Sequence, residues 1–183
     1  MVADIRRARA SDVDALLAIE NAVFQTDRLS RQSLRRLIGR PSATVLVADI
    51  GGEVAGYCIV LLRAGSATAR LYSVSTAPDM AGQGIGRALV QAAEAAAVAE
   101  GKRFLRLEVR QDNTRAVSIY ERAGFRRIGS KSDYYQDGMT ALRMEKPLIA
   151  SGSAARIGNG NATFATSGSL SRLAEQTSRR ASR

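Results

Sequence analysis

Several residue types that enzymes commonly use for catalysis are scarce or absent in this chain. Its 183 residues include no histidine, no tryptophan and a single cysteine, Cys58. This excludes the usual Ser-His and Cys-His couples, the commonest zinc sites and an internal disulfide framework. We therefore expect no metal, and acid–base chemistry must use Asp, Glu, Tyr, Lys or Cys58.

Long apolar runs are also absent. No segment approaches the ~18 consecutive apolar residues of a membrane span. The N-terminal stretch MVADIRRARASD lacks the apolar core of a signal peptide. The 45% hydrophobic content fits a globular domain of ordinary size. These features predict a cytoplasmic protein without a membrane partner.

Negative charge is in deficit, since the formal net charge is +10. Such a balance favours anionic partners: a nucleotide-like cofactor, an acidic peptide or nucleic acid. Residues 148–183 are mostly Ser, Gly, Ala, Thr and Asn with scattered arginines, a composition that predicts a flexible basic tail after a domain at residues 1–147. Apart from Phe164 the tail has no interleaved aromatic residue, so nucleic acid is a weakly supported partner.

Residues 1–147 alternate between strand and helix periodicity. The predicted order is β-α-α-β-β-β-α-β-α-β-β. This order predicts an α/β fold of the mixed α+β type, with one mixed sheet. The predicted helices are 11–23, 30–39, 85–100 and 114–123, and the predicted strands are 4–8, 44–50, 53–63, 69–76, 104–110, 126–135 and 140–146.

The stretch MAGQGIGRALV places Gly82, Gly84 and Gly86 at alternate positions where the third helix begins. Glycine lets backbone N–H groups approach a ligand closely, and a helix N-terminus favours an anion. A pyrophosphate would suit such a turn. The spacing fits neither the P-loop nor the G-x-G-x-x-G pattern, and a tight turn without a ligand remains the alternative.

Three blocks carry a resemblance to a known family. VSTAPDMAGQGIGRALV, LEVRQDNTRAVSIYERAGF and YYQDGMTALRMEKPL occur in that order and resemble the GCN5-related N-acetyltransferases, the GNAT family, over about residues 3–147. The resemblance is strongest to the RimI-like branch, which acetylates protein N-termini. It implies the GNAT fold, a mostly antiparallel sheet of about seven strands flanked by about four helices, with acetyl-CoA as cosubstrate.

The same resemblance implies where acetyl-CoA binds. The pantetheine arm would border the end of one strand, and the phosphates would lie against the glycine turn. One departure is Ala81, which stands where the family usually has Arg or Gln, so we expect weaker affinity without loss of the site. The implied residues are Val74, Ser75, Thr76, Gly82, Gln83, Gly84, Ile85, Gly86, Arg87 and Asn113. Asn113 could also cap the following helix.

Glu108 is the candidate general base. In FLRLEVR, Leu105, Leu107 and Val109 face one side of the predicted strand, and Glu108 faces the other with Arg106 and Arg110. An ion pair on the strand would explain such a pattern. By resemblance, Glu108 matches the glutamate that removes the proton of the amine, directly or through water.

Tyrosines supply the other candidates. Tyr120 fits a packed core residue, and by resemblance it matches the tyrosine that protonates the departing CoA sulfur. Tyr134 and Tyr135 end a predicted strand near the expected entry of the acceptor, so they are candidate substrate-binding residues or edge-strand aromatics. Cys58, in the middle of a strand, is interpreted as an inert core thiol.

The sequence thus predicts an N-acetyltransferase that acts by direct attack in a ternary complex. The expected acceptor is a protein N-terminal amine, such as the alanine of a ribosomal protein. A lysine or small-molecule acceptor and a non-catalytic acyl-CoA-binding module remain alternatives.

Overall fold

The computed structural model describes residues 3–148, in which one seven-stranded sheet carries helices on both faces. The helices are α1 (Val13–Val23), α2 (Arg31–Ile38), α3 (Ile85–Ala99) and α4 (Thr114–Arg122). The strands are β1 (Asp4–Arg7), β2 (Ala43–Ile50), β3 (Glu53–Leu62), β4 (Thr68–Thr76), β5 (Phe104–Arg110), β6 (Arg126–Lys131) and β7 (Ala141–Pro147). No helix in the described range is long and apolar enough to cross a membrane.

The strand order in the sheet is β1-β2-β3-β4-β5-β7-β6. All neighbouring strands pair antiparallel except β4 and β5, which are parallel. Their connection passes through α3, since a parallel pair needs a crossover. The predicted mixed, mostly antiparallel sheet with seven strands and four helices is confirmed.

The two faces of the sheet bury separate apolar clusters. Under α3 and α4, the cluster includes Leu89, Leu107 and Met144. Under α1 and α2, the other cluster includes Leu16 and Leu34. Because side chains alternate along a strand, each strand residue belongs to one of these two faces. Below they are called the α3/α4 face and the α1/α2 face.

Local signals in the sequence set several helix ends. The Ser30 hydroxyl accepts a hydrogen bond from the Ser33 N–H at 3.1 Å at the start of α2. Gly101 and Gly124 follow the ends of α3 and α4 with φ values of 69° and 95°. This left-handed conformation favours glycine and ends a helix. These predicted boundaries are confirmed.

Two predicted boundaries are wrong. The first is the start of α1: residues Ala10–Asp12 form a 3-10 turn, so the helix begins at Val13 and not at Ser11. The Asp12 carboxylate causes this, because it accepts the Arg9 N–H at 2.6 Å and two hydrogen bonds from the Arg6 guanidinium at 2.8 and 3.0 Å.

The second is the end of β6, which stops at Lys131 instead of reaching Tyr135. Asp133 adopts a left-handed φ of 51°, and the N–H groups of Tyr134 and Tyr135 both point to Met139 O at 3.2 Å. The two tyrosines therefore lie in the connection to β7 and not on a strand.

Past β7, the Leu148 N–H donates to Arg103 O at 2.8 Å, and Leu148 packs against the α3/α4 cluster. The remainder of the predicted tail lies outside the described residues.

A buried carboxylate anchors the loop between α1 and α2. Glu20 has no exposed surface, and it accepts hydrogen bonds from the Tyr57 hydroxyl and from the Leu29 N–H, the latter at 3.1 Å. A buried carboxylate is tolerated only when it is hydrogen-bonded in this way. The loop is thereby attached to β3, on the face of the sheet that carries Glu108.

Candidate active site

The glycine turn joins β4 to α3. Gly82 and Gly84 have φ values of 87° and 78°, which a residue with a side chain rarely adopts. Gly84 is the residue directly before α3 and has no side chain that could cap the helix. The first intrahelical hydrogen bond runs from the Ala88 N–H to Gly84 O. The N–H groups of Ile85, Gly86 and Arg87 therefore belong to the first helical turn, where no carbonyl of the same helix can accept from them.

Space above the turn is open. A Cβ built on Gly84 would meet no atom within 4 Å. Gln83 is exposed and its amide lies 3.5 Å from the Met80 sulfur, while Ile85 and Gly86 are buried at the base of α3. The glycines thus serve the left-handed turn, and the same turn presents helix N–H groups to an accessible region.

Gly56 of β3 determines how closely α3 approaches the sheet. A Cβ at Gly56 would lie 2.8 Å from Ser75 O and 3.1 Å from both Ile85 Cγ2 and Leu89 Cδ1. Any larger residue would therefore displace the strand that carries Ser75 or the start of α3. The sequence prediction missed this glycine, because its neighbours come from β4 and α3.

The strands β4 and β5 separate midway. Their pairing covers Thr68–Arg70 and Phe104–Arg106, so residues 71–76 of β4 face β5 without a ladder. An extra residue in β4, Tyr72, forms a bulge against β3 at this point, and bulges bend strands. No other strand of residues 3–148 covers this edge of β4, which leaves backbone groups available to an extended ligand.

The end of β4 contains buried hydroxyls. Ser75 Oγ and Thr76 Oγ1 are buried and have no hydrogen-bond partner among residues 3–148, while Val74 packs into the α3/α4 cluster. Unpaired buried hydroxyls are costly unless a ligand or water satisfies them. Together with the open edge of β4 and the glycine turn, they fit a long ligand with a polar arm and an anionic end.

Glu108 lies on the α1/α2 face, on the side of β5 opposite Leu107 and Val109 as the alternation predicted, and only 5% of the residue is exposed. Its Oε2 accepts a hydrogen bond from Arg70 Nε at 2.8 Å, and its Oε1 lies 4.0 Å from Lys131 Nζ. Arg106 and Arg110 pair elsewhere, with Glu145 and with Asp112 and Asp137. Glu108 therefore pairs with Arg70 of β4 and lies near Lys131 of β6, while the two arginines beside it on β5 pair with other carboxylates.

Arg70 is a residue of the candidate site that sequence reasoning missed. It is the last residue of β4 that pairs with β5. Its guanidinium donates to Glu108 and, through Nη2, to the Tyr134 hydroxyl at 2.8 Å, and it lies over the Tyr72 ring at 5.4 Å. The only signal in the sequence was that Arg70 is the one charged residue of its strand. Arg70 holds Glu108 at the point where the two strands separate.

Tyr120 lies on the opposite face, packed with Val74 and Val109 in the α3/α4 cluster. Its ring contacts Phe125 edge-on at 5.7 Å. Burial raises the pKa of Tyr120 far above its usual value, with a further contribution from Tyr135. The hydroxyl therefore stays protonated near neutral pH. The residue is both a core tyrosine and a member of the candidate site.

The remaining predicted residues border this region. Asn113 caps α4, since its Oδ1 accepts the Ala116 N–H at 3.0 Å. Tyr135 is buried against Tyr134, with ring centroids 5.2 Å apart, and the Arg110 guanidinium lies 4.8 Å from its ring. Tyr134 is linked to Glu108 through Arg70, so it belongs to the same hydrogen-bond network. Tyr135 contacts this network through the ring of Tyr134.

Cys58 does not join the site. The thiol is fully buried, it contacts Leu89 O at 3.5 Å, and burial raises the pKa of Cys58 to about 12. The thiolate nucleophile is therefore not formed near neutral pH. Within residues 3–148, no group of three or more Asp, Glu or Cys side chains is arranged to hold a metal ion.

Comparisons with known proteins agree with this geometry. The family model described as "Acetyltransferase (GNAT) domain" matches residues 8–148. A Bacillus subtilis protein named as a ribosomal protein bS18-alanine N-acetyltransferase is 30% identical over 143 residues, which cover 78% of this chain and 93% of that protein. An N-alpha-acetyltransferase of Sulfurisphaera tokodaii is 28% identical over 155 residues, covering 79% of this chain and 92% of the relative.

A solved structure gives the same result for the fold. The ribosomal-protein-S18-alanine N-acetyltransferase of Escherichia coli superposes with a TM-score of 0.72 at 25% identity, covering 85% of this chain and 99% of its own. Because the family model matches from the residue after β1 to the residue after β7, the chain belongs to the GNAT family of N-acetyltransferases.

Proposed function

We propose that this protein transfers the acetyl group of acetyl-CoA to the α-amine of a protein N-terminus, in the cytoplasm, by direct attack in a ternary complex. The observation that carries the proposal is the split between β4 and β5. Glu108 lies on one face of the sheet and Tyr120 on the other, and the glycine turn follows the end of β4.

The cosubstrate site would use backbone more than side chains. The N–H groups from Gly82 to Arg87 would receive the phosphates, and the free edge at Val74, Ser75 and Thr76 would receive the pantetheine arm. Asn113 would border the same arm from the start of α4. When bound, acetyl-CoA supplies an acetyl thioester, which is reactive toward a neutral amine.

Glu108 would accept the proton that the amine loses. Arg70 holds this carboxylate through Oε2 at the point where β4 and β5 separate, so the carboxylate is positioned to receive the proton, directly or through a water molecule. The nearby Arg70 and Lys131 also disfavour a bound ammonium relative to a neutral amine, because like charges lower the pKa of a cationic group. Both effects favour the nucleophilic form of the acceptor.

Tyr120 would supply the proton that the departing sulfur takes up. Its raised pKa, caused chiefly by burial, means that the hydroxyl remains protonated across the range in which the amine becomes neutral. We therefore expect no loss of activity from ionisation of Tyr120 as the pH rises through the physiological range.

The acceptor class rests on the relatives. One is named for acetylation of an alanine of ribosomal protein bS18, and another as an N-alpha-acetyltransferase. A protein N-terminal amine, with alanine of a ribosomal protein as a candidate, is therefore our first choice over lysine side chains and small amines. GNAT proteins with one fold serve different acceptors, so the fold itself does not select among them.

A peptide panel tests the proposal. Acetyl-CoA turnover would be followed with a peptide that has a free N-terminal alanine, the same peptide with a blocked N-terminus and an internal lysine, and a small primary amine. We expect turnover mainly with the first. Calorimetric binding of acetyl-CoA without turnover of any amine would instead identify a non-catalytic acyl-CoA-binding module.

A further inference from the structure

Positive charge is concentrated around Glu108 on the α1/α2 face of the sheet. Two arginines of this face have carboxylate partners of their own: Arg106 pairs with Glu145, and Arg110 with Asp112 and Asp137. Three further cations of this face lie beside Glu108: Arg70, Lys131 and Arg143. Two of them are within 4.0 Å of it.

Arg143 is the third cation of this group. It is the direct register partner of Glu108 across β5 and β7, and directly opposed residues project from the same face. Leu142 and Met144, its neighbours along β7, pack into the α3/α4 cluster, which leaves Arg143 on the face of Glu108. Its Nε is buried without a hydrogen-bond partner among residues 3–148, so the protein does not saturate this guanidinium.

The space beside Arg143 is open. Its register partner on β6 is Gly129, which has no side chain, and a Cβ built there would meet no atom within 4 Å. Lys131 lies two residues further along β6, with 41% of its side chain exposed. Arg143 and Lys131 thus form a cationic surface next to Glu108, and we call this pair the cationic ledge.

We propose that the acceptor carries a carboxylate close to its reactive amine and that the cationic ledge binds this carboxylate. The inference rests on the proposed function, because it takes Glu108 as the group that receives the amine. An extended chain advances about 3.3–3.6 Å per residue. An amine at Glu108 would therefore place the second or third acceptor residue over the ledge. The chemistry predicted at those positions is Asp or Glu.

A carboxylate beside the amine has two sources. It can be an acidic side chain near the start of a peptide, or the α-carboxylate of a free amino acid. Both would pair with arginine and lysine in the same way. The experiment separates them with C-terminally amidated peptides on one side and free amino acids on the other.

The test compares kcat/KM for amidated peptides that begin with alanine and differ only at positions two and three: Asp or Glu, Asn or Gln, or Lys. For the parent protein we expect the acidic peptide to exceed the neutral one by about tenfold, the effect of one partly exposed charge-assisted contact. This ratio should fall as salt is added, since salt screens exposed charges.

Arg143→Gln and Lys131→Gln should each reduce the ratio of acidic to neutral peptide, and the double variant should abolish it. Arg122→Gln is the matched control. It removes the same charge from an exposed position at the end of α4, on the opposite face of the sheet. The ratio should be unchanged in that variant.

The outcomes are distinct. Equal kcat/KM for acidic and neutral peptides, or a preference for the basic one, overturns the inference and leaves the proposed function standing. Turnover of free amino acids without any peptide supports the carboxylate-binding ledge but refutes the N-terminal peptide acceptor. No turnover in any arm refutes both. The salt dependence in the parent protein needs no variant, so a misfolded mutant does not obscure the result.

Discussion

The two halves of the candidate site use different groups of the protein, backbone in one half and side chains in the other. The cosubstrate half is mostly backbone: a glycine turn, the first N–H groups of α3 and the free edge of β4. The acceptor half is mostly side chains, with Arg70, Glu108, Lys131 and Tyr134 contributed by β4, β5, β6 and a connection. A backbone site tolerates many side chains and binds a constant ligand, whereas a side-chain site can change its specificity by substitution.

The largest effect that would separate the halves is expected for Glu108→Gln. The amide cannot accept the proton of the amine, so kcat should fall by about 10²–10⁴-fold, as for loss of a general base. Acetyl-CoA affinity, measured by calorimetry, should change little, because Glu108 faces away from the glycine turn.

Glu145→Gln provides the control for this change. Glu145 lies on the same face and pairs with Arg106, two residues from Glu108 along β5. Its replacement should leave kcat nearly intact. Equal kcat for Glu108→Gln and the parent would remove Glu108 from the mechanism.

A smaller loss is expected when Arg70 is replaced, because Arg70 positions Glu108 and Tyr134 without receiving the proton itself. Arg70→Gln should lower kcat by about 10–100-fold, the range of a lost charge-assisted hydrogen bond. Arg70→Lys should recover only part of the lost kcat. An ammonium cannot reproduce the two hydrogen bonds that the guanidinium donates, one to Glu108 and one to Tyr134.

For the Arg70 variants, kcat and the acetyl-CoA dissociation constant are measured separately and compared with those of the parent. A positioning role predicts a fall in kcat at constant affinity for acetyl-CoA, with the order parent, Lys, Gln. If Lys and Gln variants lose the same activity together with thermal stability, Arg70 acts only on the fold.

The cosubstrate half should respond to a change that lies outside the glycine turn. Gly56→Ala places a Cβ 2.8 Å from Ser75 O and 3.1 Å from Ile85 Cγ2, so β4 and the start of α3 must move apart. Overpacking of this kind costs about 1–3 kcal/mol of stability. We expect a matching rise in urea sensitivity and about tenfold weaker acetyl-CoA binding, since the turn moves with α3.

Gly39→Ala is the matched control for Gly56→Ala. Gly39 ends α2 with φ of −84°, and a Cβ there would meet only Arg35 O at 3.7 Å, an ordinary contact. Both stability and acetyl-CoA affinity should stay near the parent values. Parent-like affinity in Gly56→Ala would show that the turn does not depend on the packing of α3.

The difference between the halves also explains which features of the site could be predicted from the sequence. Glycine spacing, helix caps and strand alternation are local, so the β4–α3 turn, the capping role of Asn113 and the orientation of Glu108 followed from residues close together in the chain. The structure confirms these three placements. Their roles toward acetyl-CoA and the amine stay predictions.

The acceptor half depends on contacts between distant residues. Arg70 and Glu108 are 38 positions apart, and Arg70 and Tyr134 are 64 apart. Which of several arginines pairs with Glu108 is decided by strand order, because β5, which carries Glu108, lies between β4 and β7. Periodicity gives the face of a residue but not its neighbour across the sheet, so Arg70, Arg143 and Gly56 were missed.

The smallest effect concerns Ala81, where the family usually has Arg or Gln. Ala81 is exposed, directly before the glycine turn, and its N–H donates to Pro78 O at 3.3 Å. An arginine here would approach the phosphates from solvent, where a charge pair contributes only about 0.2–1 kcal/mol. Ala81→Arg should therefore tighten acetyl-CoA binding by no more than about fivefold.

Ala81→Glu, its charge-reversed control, should weaken binding by a similar factor. Both shifts should shrink as salt is added. Calorimetric titrations at low and high ionic strength measure them, and identical affinities for Arg and Glu at low salt would mean that the phosphates do not lie at this end of the turn.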